Sequence, residues 1–181
     1  MNILITGANG QLGNEMRILS ARHAQHTYFF TDVEELDITS REAVNRFVKD
    51  NAIDIIVNCA AYTNVDKAES DEVLAHKINA LAVENLGISG ARVIHVSTDY
   101  VFSGDACVPY EETDKVAPRT AYGRTKLAGE ELLQVVCPEA IIIRTAWLYS
   151  TFGNNFVKTM LRLGQEREAL GVVFDQIGSP T

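Results

Sequence analysis

The stretch "NILITGANGQLGNEMRILSARH", beginning at Asn2, constrains this chain more than any other. A short apolar run rich in branched residues is followed by glycines at positions 7, 10 and 13, then by a helix-like segment. A strand that is apolar throughout, instead of alternating, is covered on both faces, and such strands belong to parallel sheets joined through helices. Gly7, Gly10 and Gly13 permit a tight turn, and let backbone N–H groups at the helix N-terminus approach a pyrophosphate. The alternative is a glycine-rich turn with no ligand. Its place, after a first strand and before a helix, favours a dinucleotide site.

The rest of the chain repeats the alternation. "TYFFT", "DIIVNCAA", "ARVIHVST", "AIIIRTAWLY" and "ALGVVFD" read as five further strands. Between them lie helical segments: "SREAVNRFVKDN" with Ser40 as N-cap, "DEVLAHKINALAVENLGIS" carrying Val73, Leu74, Ile78, Leu81 and Leu86, "AYGRTKLAGEEL", and "NNFVKTMLRLGQE". The expected fold class is α/β, a Rossmann-like doubly wound parallel sheet with helices on both faces. Residues 1–181 read as one dinucleotide-binding domain, with no repeats or low-complexity tracts. The chain stops at "DQIGSPT", directly after a predicted strand, so a continuation is expected.

Bulk properties exclude several classes. A net charge of −8 argues against a nucleic acid or an anionic membrane as partner. The three cysteines, Cys59, Cys107 and Cys137, form neither a metal pattern nor a disulfide framework, which suits a reducing cytosol. Apolar runs are strand-sized, and the first strand starts at residue 2, leaving no room for a signal peptide. A cytoplasmic protein is expected.

Asp32, closing "TYFFTD", stands where an acidic residue can accept from a ribose 2′-hydroxyl and repel a 2′-phosphate, which favours NADH slightly over NADPH. It reads equally as a turn cap. Asp37 and Ile38 are candidates for the adenine end. The fourth strand ends in Ser97, Thr98 and Asp99, where ligands of open α/β sheets sit. Tyr122 and Lys126, four apart, share a helix face. A phenol has a pKa near 10, and a neighbouring ammonium lowers it, making the phenol a usable proton donor at neutral pH. Thr98 could donate to the same carbonyl oxygen. Tyr-x-x-x-Lys alone is an ordinary surface pair; together with the glycine turn and the strand-end hydroxyl it reads as a site.

"TGANGQLG", "NCAAYTNVDKAE", "STDYVFSG", "YGRTKLAGE" and "RTAWLY" together resemble the extended short-chain dehydrogenase/reductases. Within them the chain is similar to the branch that uses NADH or NADPH to reduce the C4 ketone of dTDP-4-dehydro-L-rhamnose. The likeness runs from Asn2 to Thr181. It implies Tyr122 as proton donor, Lys126 as its pKa partner and ribose anchor, Thr98 as polariser, and Asn79 as support for a proton relay, though Asn79 reads equally as a surface amide. It places Gly10, Gln11 and Leu12 along the pyrophosphate, and Ala61, Tyr62 and Thr63 beside the cofactor. Thr98, Asp99 and Trp147 would meet the dTDP-sugar, with core packing the alternative for Trp147. Asn154, Asn155, Phe156 and Lys158 would hold the diphosphate or form a capped helix start.

Two departures stand out. The family's further C-terminal segment, which completes the sugar-nucleotide site, is absent from this chain. Some members bind Mg²⁺ at a dimer contact through a glutamate placed like Glu15, but the partner carboxylates would lie beyond Thr181, so no metal is expected. A homodimer of the full-length protein is compatible with the resemblance. Two other functions remain open: an epimerase or dehydratase on another nucleotide sugar, and a non-catalytic subunit like the regulatory subunit of methionine adenosyltransferase.

Overall fold

The computed structural model describes residues 1–173 and 175–181. Strands β1 (Asn2–Thr6), β2 (Thr27–Thr31), β3 (Ile55–Asn58), β4 (Arg92–Thr98) and β5 (Ile141–Thr145) form one parallel sheet in the order β2-β1-β3-β4-β5. From β1 the chain runs through α1 (Gln11–Ser20) to β2, then returns across β1 through α2 (Arg41–Asp50) to β3. Right-handed crossovers taken in opposite directions put α1 and α2 on opposite faces. The reversal between β1 and β3 opens a crevice at the carboxyl ends of those strands. The doubly wound parallel sheet expected from the alternation is therefore what forms.

The link from β3 to β4 passes through α3 (Val65–Ala68), α4 (Glu72–His76), a π-helical segment (Lys77–Leu81) and α5 (Ala82–Gly87). The expected long helix is present but widened at its centre. Its buried residues are small or polar, namely Ala75, Asn79, Ala80, Ala82 and Gly87 besides Val83 and Leu86, whereas Val73, Leu74 and Leu81 are exposed. The cause is α6 (Ala121–Val136), which approaches so closely that only small side chains fit between. Thr120 caps α6 by accepting from the Gly123 N–H, and Ser40 caps α2 as the sequence suggested.

The main core lies on the α2/α5/α6 face, where Leu4, Ile56 and Val93 of the sheet meet Val44, Val83, Leu86 and Leu133. Leu4, Ile56, Leu86 and Leu133 are fully buried, each contributing about 1.5–3 kcal/mol. The other side is thinner: α7 (Phe156–Glu166) buries no residue, and Ile141 and Ile143 of β5 are exposed.

The predicted sixth strand over 169–175 does not form. Leu170, Val172 and Val173 are exposed and no described residue of the stretch pairs with β5, while residue 174 lies outside the described set. An apolar run becomes a strand only when a neighbour completes its hydrogen bonds. No described helix is long and apolar enough to cross a membrane.

Candidate active site

A cavity of about 840 Å³ opens at the carboxyl ends of the strands. Its floor is the glycine turn. Gly7 has φ +63°, and a Cβ there would stand 2.7 Å from the Ala60 backbone, so the turn after β1 and the loop after β3 meet in a way only glycine permits. Gly10 is the N-cap of α1, and no side chain caps that helix, whereas Ser40, Asn64, Thr120 and Asn155 cap α2, α3, α6 and α7. The first N–H groups of α1 thus face the cavity with no side-chain partner, as a pyrophosphate site requires. Gln11 and Leu12 line the cavity with Gly7 and Gly10. Gly13 does not; a Cβ there would overlap the Gly7 carbonyl, so its role is to pack helix against turn.

At the far end stand Asp32, Asp37 and Ile38. The Asp32 carboxylate accepts from the N–H of Asn9 at 3.0 Å and of Val33 at 2.9 Å, so it caps the turn while still facing the cavity. Asp37 accepts from the hydroxyl and N–H of Thr39, which hold its pKa below the usual carboxylate value.

Thr98, Asp99, Tyr122 and Lys126 line the same cavity. Tyr122 lies in the first turn of α6 and packs edge-on against Tyr100, ring centroids 5.5 Å apart. The Thr98 hydroxyl donates to Asp99 at 3.1 Å and accepts from the Tyr100 N–H at 3.2 Å. Burial raises the Asp99 carboxyl, with the bond from Thr98 pulling it back. Burial likewise raises the Tyr122 phenol; the Thr98 hydroxyl opposes this and Asp99 reinforces it. The expected lowering of the phenol by Lys126 is not what the geometry gives. Lys126 is almost wholly buried, and its Nζ is engaged by the Val96 carbonyl at 2.8 Å and by His95 Nε2 at 3.2 Å. Burial brings the ammonium itself down to about 8.

The loop after β3 and the helices beyond it bear on further sequence assignments. Ala61 and Thr63 line the cavity, but Tyr62 does not: it packs against Ala68, Ala75 and Ala121. Asn79 is not a surface amide. It is fully buried, accepts from the Tyr62 N–H at 2.8 Å, and donates to the Tyr62 carbonyl and the Thr125 hydroxyl, both at 3.1 Å. This clamp turns the Tyr62 ring inward. Asn155 and Lys158 form a capped helix start, with Asn155 accepting from the Lys158 N–H and the Lys158 ammonium donating to Thr151 and Gly153 carbonyls, whereas Asn154 faces the cavity. Glu15 accepts from the Ser150 hydroxyl at 2.5 Å, and no cluster of three metal-ligating side chains exists among the described residues.

The profile of the family described as "RmlD substrate binding domain" matches residues 1–181. The chain belongs to that family. It is 48% identical over 189 residues to the dTDP-4-dehydrorhamnose reductase of Escherichia coli, covering 100% of this chain and 62% of that protein. A crystal structure of a dTDP-4-dehydrorhamnose reductase from Clostridium acetobutylicum superposes with a TM-score of 0.96 at 49% identity, over 100% of this chain and 65% of that one. The Bacillus anthracis reductase, solved in complex with NADP, superposes at 0.95 with 44% identity, over 99% of this chain and 65% of that one. The chain therefore spans about three fifths of the length of the curated relatives it matches.

In this member of the RmlD family, Trp147 adopts φ +51°, a left-handed backbone rare for so bulky a residue, and is 40% exposed at the cavity, edge-on to Phe156. Holding it there costs about 1–3 kcal/mol. Sequence reasoning missed His95 and Asn58, buried polar residues behind Lys126, and the Ser97–Glu130–Arg144 group beside it. A histidine inside the otherwise apolar "VIHVS" was the available signal.

Proposed function

We propose that this chain is the dinucleotide-binding and catalytic part of an NAD(P)H-dependent reductase that converts the C4 ketone of dTDP-4-dehydro-L-rhamnose to the alcohol of dTDP-L-rhamnose. The observation that carries the proposal is that Thr98, Tyr122 and Lys126 open onto the same cavity as the uncapped glycine turn. When bound, NAD(P)H would supply the hydride that reduces C4. Tyr122 gives its phenolic proton to the ketone oxygen, and Thr98, turning its hydroxyl away from Asp99, donates to the same oxygen and stabilises developing negative charge. Lys126 would hold the nicotinamide ribose, and its ammonium would stabilise the phenolate left on Tyr122. Asp99 and Trp147 face the sugar nucleotide, the indole offering a flat surface to the base.

The cavity suits the dinucleotide on its own geometry: glycines where side chains would fill the turn, and free N–H groups at a helix N-terminus. A cytoplasmic enzyme with no nucleic-acid or membrane partner, acting as a homodimer, completes the proposal. The test is to incubate the full-length protein with dTDP-4-dehydro-L-rhamnose and NADH or NADPH. Cofactor oxidation matched by dTDP-L-rhamnose is expected; a protein that binds dinucleotide yet leaves the ketosugar unchanged is a binding subunit instead.

A further inference from the structure

Behind the cavity, four polar side chains cross the sheet in sequence. Thr6 Oγ1 donates to Asn58 Oδ1 at 2.6 Å, and the Ala60 N–H donates to the same oxygen at 3.1 Å. Two donors on one oxygen fix the orientation of the Asn58 amide, because a flip would set its NH₂ against both. Asn58 Nδ2 therefore faces His95 Nδ1, at 2.9 Å, and donates to it. His95 is fully buried, and burial together with the charge of Lys126 holds its pKa well below the usual value, so the ring is neutral. A neutral imidazole that accepts at Nδ1 carries its proton on Nε2. That N–H points at Lys126 Nζ, 3.2 Å away. An ammonium has donors only, so the charged form of Lys126 meets a donor, while the amine could accept from it and still donate to Val96.

We propose that His95 is a positioning residue for Lys126: locked by Asn58 with its proton on Nε2, it presents a donor to Nζ and favours the amine form of Lys126 before a dinucleotide binds. Burial acts in the same direction, bringing Lys126 down to about 8, with Glu130 opposing. The titratable groups around Lys126 are His95 from β4 and Tyr122 and Glu130 from α6; Glu130 is tied to Arg144 of β5 and to Ser97, and β1 and β3 contribute the uncharged Thr6 and Asn58. The consequence rests on the cofactor proposed above. Ribose oxygens and phosphate charge favour the ammonium, so binding draws a proton onto Lys126. By linkage, affinity then falls as pH rises above about 8, approaching tenfold per pH unit.

Calorimetric titration of the full-length protein with NADPH, at about one pH unit above the free Lys126 value and in two buffers of different ionisation enthalpy, should show uptake of most of one proton. In His95→Gln the side-chain amide can turn its oxygen to Nζ and favour the ammonium; burial still lowers Lys126, so uptake should fall clearly below that of the wild type without vanishing. Binding without proton uptake by the wild type, or unchanged uptake in His95→Gln, overturns the proposal. Two measurements need neither variant nor cofactor. Long-range ¹H–¹⁵N spectra should show His95 as the Nε2–H tautomer, and the Lys126 ¹³Cε shift should titrate well below the ordinary lysine value. An Nδ1–H tautomer or an ordinary lysine titration overturns it. Failure of NADPH to bind at all would count against the cofactor assignment, leaving these two spectra to decide on His95.

Discussion

Lys126 donates to the Val96 carbonyl at 2.8 Å from a position that is 1% exposed, and among the described residues no carboxylate lies within ion-pair distance of it. A buried cation without a counter-ion costs stability. Its folded pKa of about 8 lies below the unfolded value of 10.5, so between these values the unfolded chain binds more protons. Stability then rises with pH across that window, and the full cost is present below it. Lys126→Met should raise stability at neutral pH by roughly 1–2 kcal/mol, the relief from burying charge less the cost of an orphaned carbonyl. The gain should shrink as pH approaches the unfolded value. Urea unfolding at several pH values measures it; a less stable Lys126→Met at neutral pH would mean the ammonium is well satisfied.

Tyr122→Phe removes the proposed proton donor and leaves the ring that packs against Tyr100. In the full-length enzyme kcat should fall by about 10²–10⁴, the span of a positioned general acid. Dinucleotide affinity should hardly change, since the phenol is aimed at the ketone. Steady-state kinetics beside fluorescence titration separates the two; near-normal turnover would remove Tyr122 from the chemistry.

Cofactor preference turns on Asp32. Lys126 is the one cation among the described residues lining the cavity, at the opposite end from Asp32, so a 2′-phosphate would meet a carboxylate and no counter-charge. NADH should bind at least as tightly as NADPH, and Asp32→Ala should shift the ratio towards NADPH by about tenfold, equivalent to 1.4 kcal/mol. Competitive titration of both dinucleotides decides; a wild type that clearly prefers NADPH shows that Asp32 serves the Asn9 turn alone.

What the sequence made legible followed from local pattern. "NILIT", "TYFFT" and "RVIHVST" are strands because apolar runs of that length have nowhere to go but a buried sheet, and Gly7 was readable because only glycine suits its φ and its approach to Ala60. Non-local relations stayed hidden. The π-helical segment Lys77–Leu81 lies in close contact with α6, which no local signal announces, and in it Leu81 is exposed while Asn79 is buried. Tyr62 was misplaced because its direction is set by Asn79, 17 residues away. His95 was passed over because a histidine in a strand shows its meaning only when Asn58 and Lys126 are seen on either side.

Beside that network, Glu130 is 3% exposed and paired with Arg144, which is 23% exposed, at 2.6 Å. Its other oxygen accepts from Ser97. The two partners are unequal: deprived of Glu130, Arg144 can reach water, whereas Glu130 cannot. Arg144→Met should cost about 3–5 kcal/mol and Glu130→Gln markedly less. Denaturation at neutral pH checks both, and equal costs for the two variants would show the pair to be screened.

A Cβ on Gly129 would overlap the carbonyl oxygen of Asn79, whereas one on Gly164, within α7, would meet nothing within 4 Å. Both glycines lie inside helices, where alanine is intrinsically better by about 1 kcal/mol. Gly164→Ala should therefore stabilise the protein by roughly 0.5–1 kcal/mol. Gly129→Ala should go the other way, by about 1–3 kcal/mol net, because backbone must move and cannot do so as cheaply as a side chain. The displaced segment carries Asn79, whose amide holds both backbone polar groups of Tyr62, and Ala61 and Thr63 on either side line the cavity. Gly129→Ala should accordingly weaken dinucleotide binding from a distance, which Gly164→Ala should not. Thermal unfolding with and without NADH reads both effects. Loss of stability with unchanged affinity would show that the loop after β3 holds its shape without the Asn79 clamp.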